Sequence, residues 1–321
     1  MPAAFRGRMS MAAPGRPLYL YTPGPREAAV STGRLFMSIE LRAGTPADAV
    51  ACGTICYEAF KSVNSAHGFP PDFASAEEGV GLMTMLLSHA GHRSVVAEID
   101  GRIVGSNFMD ERAPIYGIGP ITVDPTVQNR GIGGRLMQHM IDRTAQRNAA
   151  GVRLLQAAFH NRSLCLYSML GFRTRETISI LQGKPLNQKI AGYDVRPATP
   201  ADVAACNAIC HDVHGFDRGR ELEEAIGYRA AQVVEHDGRI TGYTTGVSFV
   251  AHTVTETNTG LMALIGAATQ FGSPGFLLPT RNHEVFTWCL KGGLRLVYQM
   301  TLMTIGLYNE PTGAWLPSVA Y

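Results

Sequence analysis

An internal repeat limits the folds that this chain can adopt. Residues 42–56 read RAGTPADAVACGTIC and residues 196–210 read RPATPADVAACNAIC, so nine of the fifteen positions are identical. A second pair of segments, DGRIVG at 100–105 and DGRITG at 237–242, has the composition of a hairpin turn that leads into a strand. Two copies of one α/β unit within 321 residues predict two tandem domains.

Each copy starts with a strand end that is followed by a helix start. Thr45 and Thr199 occupy the cap positions, and a proline follows each of them at the first helical position. The first 36 residues are rich in Pro, Gly, Ala and Arg, lack the apolar core of a secretory signal, and are followed by Met37 as an alternative start. We expect 1–36 to be a flexible N-terminal extension, 38–181 a first domain, 182–193 a linker and 194–321 a second domain.

A glycine-rich loop in the first copy is the strongest indication of a binding site. Residues 128–134 read QNRGIGG and lie between an apolar strand segment, 119–125, and an amphipathic segment that begins at Arg135. A strand, a glycine-rich turn and a helix start together form a pocket of backbone N–H groups that suits a phosphate. The alternative is an ordinary turn in which glycine only permits a positive φ.

Three kinds of phosphate-binding loop can be compared with this segment. A P-loop requires Lys followed by Ser or Thr, which this segment does not have, and a dinucleotide fingerprint requires a third glycine where Leu136 stands. The spacing that fits is Gln/Arg-x-x-Gly-x-Gly/Ala, with Gln128, Gly131 and Gly133 at the defined positions. The loop resembles the pyrophosphate loop of the GNAT acetyltransferase superfamily, whose members bind acetyl-coenzyme A.

A second motif lies downstream of the loop and supports the same resemblance. Residues 152–159 have the composition of a buried strand, and Asn161, Tyr167 and Gly171 follow in the pattern of the N…Y-x-x-x-G-F segment of GNAT enzymes. We expect a short helix with Asn161 as its N-cap and Gly171 at its end. Taken alone, Tyr167 reads as a core aromatic residue that shares a helix face with two leucines.

The resemblance implies a fold class and a reaction. GNAT domains are α/β (α+β) structures with a central mixed, mostly antiparallel sheet flanked by helices, and we expect two of them in tandem. The implied reaction is direct transfer of an acetyl group from acetyl-coenzyme A to the primary amine of a small molecule, with Tyr167 as the general acid. Two alternatives stay open, a non-catalytic protein that binds or senses acyl-coenzyme A and an enzyme that acetylates a lysine or the N-terminus of proteins.

The resemblance also assigns residues to the donor site. The pantetheine arm is expected between two neighbouring strands that splay apart, and the pyrophosphate at the positive end of the next helix. The N–H of Val123 is expected to hold the oxygen of the thioester carbonyl as it becomes negative. The expected cofactor-binding residues are Ile121, Thr122, Val123, Gln128, Asn129, Arg130, Gly131, Ile132, Gly133, Gly134 and Asn161.

The acceptor side is less well defined by the sequence. Segment 60–73 is rich in aromatic and polar residues, as lids often are, and offers Phe60, Asn64 and Phe69 as substrate-binding residues. The segment has no acidic cluster of the kind that recruits a polyamine or an aminoglycoside.

The general base is also open at this point. Asp110, Glu111 and His160 lie at expected strand ends near the acceptor side, and we favour Glu111 among them. Many members of the superfamily use a chain of water molecules instead of one base, which is the alternative.

The second copy lacks the features of a donor site. The region that corresponds to the loop reads TETNTGLM at 255–262 without a glycine pair, and Trp288 takes the place of Tyr167. An indole offers one N–H donor and no proton to give near neutral pH. We therefore expect one acetyl-coenzyme A site, in 38–181, and a degenerate second copy. The apolar C-terminal segment 306–321 is expected to pack in the second domain or across the domain interface.

Composition weighs against several other classes of protein. A net charge of +2 gives no basis for binding nucleic acid or an anionic membrane, and no apolar stretch is long enough to span a bilayer. The Cys-x-x-x-Cys pairs at 52/56 and 206/210 lie in helical patterns, where cysteine packs as a small apolar residue, so we expect no metal. We expect a cytoplasmic protein, a monomer or homodimer, whose partner is a small-molecule amine.

Overall fold

The computed structural model describes residues 38–319, so the expected N-terminal extension lies outside the described residues. The first copy consists of β1 (Ile39–Ala43), α1 (Ala49–Ala66), α2 (Ala76–Ser88), β2 (His92–Ile99), β3 (Arg102–Asp110), β4 (Ile115–Val123), α3 (Ile132–Gln146), β5 (Gly151–Ala157), α4 (Asn161–Met169) and β6 (Arg173–Gln182). The second copy consists of β7 (Tyr193–Pro197), α5 (Val203–His214), α6 (Gly219–Gly227), β8 (Gln232–His236), β9 (Arg239–Thr244), β10 (Thr253–Thr255), α7 (Asn258–Ala267), β11 (Phe276–Pro279), α8 (His283–Lys291), β12 (Arg295–Gly306) and β13 (Ala314–Leu316).

The repeat in the sequence is also a repeat in the structure. In the first copy the guanidinium of Arg42 donates to the two carboxylate oxygens of Asp48 at 2.8 and 2.9 Å. In the second copy Arg196 donates to Asp202 at the same two distances. Each aspartate also accepts the backbone N–H of the threonine three residues before it, at 2.7 Å in both copies. One arginine in a strand therefore fixes the helix start that follows it, twice along the chain.

The strands do not divide into one sheet for each copy. An eight-stranded sheet has the order β1-β2-β3-β4-β5-β12-β6-β11, and a five-stranded sheet has the order β13-β10-β9-β8-β7. β12 of the second copy lies between β5 and β6 of the first and is antiparallel to both, and β11 pairs with the other edge of β6. The expected α/β fold with sheets flanked by helices is confirmed. The large sheet is mixed because β4 and β5 are parallel, the small sheet is antiparallel throughout, and two strands of the second copy belong to the large sheet.

The apolar cores lie on both faces of the large sheet. α3 and α4 cover one face, where Leu136, Met140 and Leu154 are buried. α1 and α2 cover the other face, and the cysteine pair at 52/56 is buried there. The pair at 206/210 is buried in α5 in the same way, which confirms the helical interpretation of both cysteine motifs.

Two further expectations concern the connections. Residues 183–192, between β6 and β7, form no helix or strand. The C-terminal segment contains β13, whose three residues are buried against the second copy, as expected from their apolar character. Within residues 38–319 no helix combines the length and the apolar character that crossing a membrane requires.

Candidate active site

The large sheet opens into a cleft between two strands of the first copy. β4 and β5 run parallel and pair only where Ile115–Gly117 lies opposite Gly151–Arg153. Beyond this point the register of β4 against β3 shifts between Ile118 and Ile121, a stretch that contains Pro120. Proline has no N–H to donate to a neighbouring strand. The second half of β4 therefore has a free side that faces the cleft.

Backbone direction decides which groups of β4 reach the cleft. The N–H of Asp124 donates to the carbonyl of Val104 in β3 at 2.9 Å, and Thr122 is paired with Ser106 of β3. Because backbone groups alternate in direction along a strand, the N–H and C=O groups of Ile121 and Val123 face the open side. Three residues of this strand were expected to contact the cofactor. The backbone groups of Ile121 and Val123 face the cleft, whereas those of Thr122 are directed to β3.

The glycine-rich loop leaves the start of α3 without a side-chain cap. Gly131 is the N-cap residue, with φ of 80°, and glycine has no side chain that could accept a hydrogen bond from the first turn of this 15-residue helix. A Cβ on Gly131 would meet no atom within 4 Å, and a Cβ on Gly133 would meet Leu166 at an ordinary 3.6 Å. The chain's own packing therefore does not require glycine at 133. The uncapped N–H groups and the positive end of the helix form a cradle for an anion.

Gln128 connects the loop to both walls of the cleft. Its amide nitrogen donates to the carbonyl of Val123 at 3.2 Å, and its amide oxygen accepts from Arg162 of α4 at 2.9 Å. The side chain thus joins the end of β4 to the start of α4. Asn129, next in the loop, has φ of 66°, in the left-handed region that asparagine tolerates better than most residues. Arg162 places a positive charge beside the anion cradle.

The helix that carries the expected acid starts one residue earlier than expected. His160, not Asn161, is the N-cap residue of α4, and Asn161 is exposed at the first helical position. Gly171 follows the helix with φ of 96°, as expected for a helix end. Tyr167 is 7% exposed and packs 6.1 Å from Phe172, measured between ring centroids. Burial alone raises the pKa of Tyr167, so its hydroxyl keeps its proton at neutral pH.

The two carboxylates expected near the acceptor side are engaged by arginines. Both oxygens of Glu111 accept hydrogen bonds from Arg143 of α3. Asp110 is held in the same way by Arg112, which also donates to two glutamates of α6 and so joins the two copies. A carboxylate whose two oxygens both accept hydrogen bonds from a guanidinium has no unengaged oxygen to direct at an incoming amine. This geometry argues against Glu111 as the general base.

His160 is placed differently from the two carboxylates. It stands at the junction between β5 and α4, two turns ahead of Tyr167 on the same helix. Burial lowers the pKa of His160, and the positive charges of Arg162 and His67 lower it further. The imidazole is therefore neutral near pH 7 and able to accept a proton.

The expected lid is packed against a strand of the second copy. Phe69 lies 4.4 Å from Phe159 and 5.4 Å from Tyr298 between ring centroids. The hydroxyl of Tyr298 donates to the carboxylate of Asp72 at 2.8 Å. Burial raises the pKa of Asp72, against the effect of its hydrogen bonds with Tyr298 and Asn64. Because Tyr298 belongs to β12, the second copy packs against the expected lid.

The other two residues expected to bind the substrate, Phe60 and Asn64, make contacts within the first copy. Phe60 packs on Phe73 at 6.1 Å between ring centroids, in the core under α1 and α2. Asn64 is 2% exposed and donates to the carbonyl of Pro70 at 3.0 Å, which shapes the turn after α1. Sequence reasoning did not find Asp72 or Tyr298. Their pairing depends on the strand exchange, for which the sequence carries no local signal.

Comparison with known proteins connects this geometry to a family. Residues 90–174, which include the cleft, the glycine-rich loop and α4, match the family model described as Acetyltransferase (GNAT) domain. No curated protein matches the chain in sequence.

Solved structures with the same fold cover most of the chain. A Pyrococcus horikoshii protein with a provisional acetyltransferase assignment has a TM-score of 0.67 at 18% identity, over 88% of this chain and 94% of that one. A GCN5-related N-acetyltransferase from Sphaerobacter thermophilus has a TM-score of 0.58 at 18% identity, over 85% and 96%. A tandem GNAT protein from the clavulanic acid biosynthesis pathway has a TM-score of 0.51 at 13% identity, over 84% and 98%. Residues 90–174 thus match a GNAT acetyltransferase domain, and the chain as a whole shares the fold of solved GNAT structures that include a tandem GNAT protein.

Proposed function

We propose that the chain is an N-acetyltransferase that moves an acetyl group from acetyl-coenzyme A to the primary amine of a small molecule. The observation that carries this proposal is the uncapped start of α3 at the wide end of the cleft. The second copy gives the contrast. Thr257 caps α7 by accepting the N–H of Gly260, and Asn282 caps α8 by accepting the N–H of Val285. In the first copy the N–H groups at the start of α3, the helix that corresponds to α7, are left for a pyrophosphate.

The donor lies along β4 in this proposal. The N–H groups of 131–134 hold the pyrophosphate, and Arg162 adds positive charge beside it. Ile121 and Val123 pair through their open-side backbone groups with the amides of the pantetheine arm, which brings the thioester toward the point where β4 and β5 converge. The thioester then lies beyond Val123, toward that point, so the open-side N–H of Ile121, in place of the expected N–H of Val123, donates to the thioester carbonyl as negative charge develops on its oxygen.

Two neutral groups carry the protons in this proposal. His160 accepts the proton of the attacking amine, which must be neutral to act as a nucleophile. Tyr167 donates its proton to the sulfur of the departing coenzyme A. Glu111 has no part in these steps, because Arg143 occupies both of its oxygens.

The acceptor side supports a small molecule over a peptide. The hydrogen bond between Asp72 and Tyr298 ties the segment after α1 to β12, and Phe69 fills the space between Phe159 and Tyr298. A segment closed against the second copy leaves less room for an extended polypeptide than an open groove would.

The domain boundary near 182–193 remains part of the proposal, with the acceptor side formed by both copies.

The binding test is a calorimetric titration of acetyl-coenzyme A into wild-type chain, Gly133→Glu and Gly81→Glu. Gly81 is the control, because it is exposed on α2 and a Cβ there meets nothing within 4 Å. We expect one site per chain in the wild type and the control, and binding weaker by about 100-fold in Gly133→Glu, whose carboxylate meets the pyrophosphate. A wild-type chain that does not bind the donor would overturn the proposal.

Turnover separates the enzyme from its alternatives. Release of coenzyme A would be followed with phenethylamine, glutamate, spermidine and a lysine-containing peptide as acceptors. Turnover of a small amine supports the proposal, whereas turnover of the peptide alone would favour a protein acetyltransferase. Binding of the donor without turnover of any of these acceptors would favour a sensor of acyl-coenzyme A.

A further inference from the structure

The second copy contains a groove that corresponds to the donor cleft, and strand register defines the correspondence. In the first copy Val123 of β4 lies opposite Gly105 of β3. In the second copy Thr255 of β10 lies opposite Gly242 of β9. Gly105 and Gly242 are the last residues of the repeated segments DGRIVG and DGRITG. Thr255 is therefore the equivalent of Val123.

Backbone direction is the same in the two strands. Asp124, the residue after Val123, donates its N–H to β3 at 2.9 Å, and Glu256, the residue after Thr255, donates its N–H to β9 at 3.0 Å. By the alternation along a strand, the backbone groups of Thr253 and Thr255 face away from β9, as the two open-side residues of β4 face away from β3. The second copy thus presents the same row of backbone groups to the same side.

In the second copy that side is filled by the C-terminal segment of the chain. β13 pairs antiparallel with β10, with Leu316 opposite Thr253 and Ala314 opposite Thr255. The hydroxyl of Thr255 also donates to the carbonyl of Ala314 at 3.1 Å. β13 contacts β11, which precedes α8 as β5 precedes α4. The segment therefore lies between β10 and β11, which correspond to β4 and β5, the two strands that border the cleft in the first copy.

The C-terminal segment is held closely along its length. Ala314, Trp315 and Leu316 are all buried, with at most 5% of each residue exposed. A Cβ on Gly313 would lie 2.5 Å from the carbonyl oxygen of Thr255, so a side chain there cannot be accommodated without a shift. Beyond β13, Val319 donates its N–H to the carbonyl of Phe249 at 2.8 Å.

We infer that this groove is a strand-binding site whose ligand is the chain's own segment 311–319, and that this segment excludes acetyl-coenzyme A from the second copy. The inference rests on the proposed function, because it equates the groove with the donor cleft. The peptide segment and the pantetheine arm of acetyl-coenzyme A both offer amide N–H and C=O groups to the edge of a strand, as in recognition by strand addition. The side-chain caps of α7 and α8 agree with a peptide ligand in this groove. A peptide has no pyrophosphate that would need the N–H groups at a helix start.

Amide hydrogen exchange of the wild-type chain, resolved by NMR, tests the inference. Without coenzyme, the amides of Thr253 and Thr255 should exchange roughly 100-fold more slowly than those of Ile121 and Val123. Acetyl-coenzyme A should slow exchange at Ile121 and Val123 and leave Thr253 and Thr255 unchanged. Equal rates in the two copies before the addition, or slowing at Thr253 and Thr255 after it, would overturn the inference. Unchanged rates at Ile121 and Val123 would instead count against the donor site of the first copy.

A variant of the full chain adds a second readout. Gly313→Val should dislodge β13, shift the emission of Trp315 to longer wavelength and raise exchange at Thr253 and Thr255 to the rates of the free β4 edge. Gly272→Val is the matched control, because Gly272 is exposed and a Cβ there meets nothing within 4 Å. Trp288→Phe in both backgrounds leaves Trp315 as the single tryptophan, since the chain has two. A folded Gly313→Val chain with unchanged exchange at Thr253 and Thr255 would contradict the inference, and if the variant does not fold, exchange in the wild type decides.

Discussion

Burial sets the protonation of the residues that border the donor cleft. It raises the pKa of Tyr167 and lowers the pKa of His160. The cause is the same in both cases, because loss of water disfavours the charged form, which is the phenolate of tyrosine and the imidazolium of histidine. Both side chains are therefore neutral near pH 7, one with a proton to give and the other with a lone pair to accept one.

The pH dependence of turnover follows from these two shifts. In the wild type, kcat/KM calculated for the neutral form of a small amine should rise with pH through an apparent pKa below 6.5, the ordinary value for histidine, as His160 loses its proton. It should show no fall from Tyr167 up to pH 10, the ordinary value for tyrosine. His160→Gln should abolish the acidic limb, and Tyr167→Phe should lower kcat by roughly 100-fold while donor binding is kept.

Coenzyme A release between pH 5 and about 10 measures these effects. Phenylalanine keeps the packing of the ring against Phe172, so the Tyr167→Phe variant isolates the hydroxyl. Wild-type turnover in Tyr167→Phe would remove the tyrosine from the mechanism. An acidic limb that survives in His160→Gln would assign that titration to another group.

The same Arg–Asp hydrogen-bonded motif stabilises the helix starts that follow β1 and β7. Hydrogen bonds from Arg42 lower the pKa of Asp48 to about 2, against the effect of burial. Arg196 lowers the pKa of Asp202 in the same way. Because both folded-state values lie below the ordinary 3.8, each charged pair stabilises the fold above that pH. The stabilisation is lost as pH falls through the folded-state pKa.

Matched substitutions in the two copies test how much this Arg–Asp motif stabilises the fold. Asp48→Asn and Asp202→Asn should each lower the free energy of unfolding by about 1–2 kcal/mol at pH 7, and the double variant should show the sum. The loss should shrink as pH falls from about 5 to about 2, where the wild-type carboxyls also become neutral. Urea unfolding across this range measures it, with Asp237→Asn as a control, since Asp237 has an 88% exposed side chain. A loss that is the same at pH 7 and pH 3 would point to a steric effect instead.

The exchange of strands makes the two copies depend on each other. β12 supplies the strand between β5 and β6, and its Leu302 and Met303 are fully buried on opposite faces of the sheet. A first copy without β12 exposes two strand edges and the apolar surface around them.

Separate production of the copies tests this dependence. The fragment 1–187 alone should aggregate or unfold without a cooperative transition, because β5 and β6 lose their shared partner. Production together with 188–321 should restore a 1:1 complex that binds one acetyl-coenzyme A. Size-exclusion chromatography and thermal unfolding followed by circular dichroism distinguish these states. A monomeric 1–187 fragment with a sharp thermal transition would show that the first copy is an independent domain.

The sequence by itself determined the repeat, the fold class and the loop from Gln128 to Gly134, because each of these depends on residues that lie close together in the chain. Local reasoning reached its limit at the start of α4, where it placed the N-cap at Asn161 and the structure has His160, a difference of one residue. It also favoured Glu111, whose engagement by Arg143 comes from a residue 32 positions away.

Tertiary structure alone decided which strands are neighbours. The contact between Asp72 and Tyr298 joins residues 226 positions apart, and it exists because β12 pairs with β5 and β6. The pairing of β13 with β10 likewise depends on which of several apolar strands reaches a free edge. Alternating apolar residues indicate that a strand is buried, but any strand edge offers the same backbone groups. The choice of partner is settled only when the whole chain packs, and here that choice brings Tyr298 to Asp72 and places β13 beside β10.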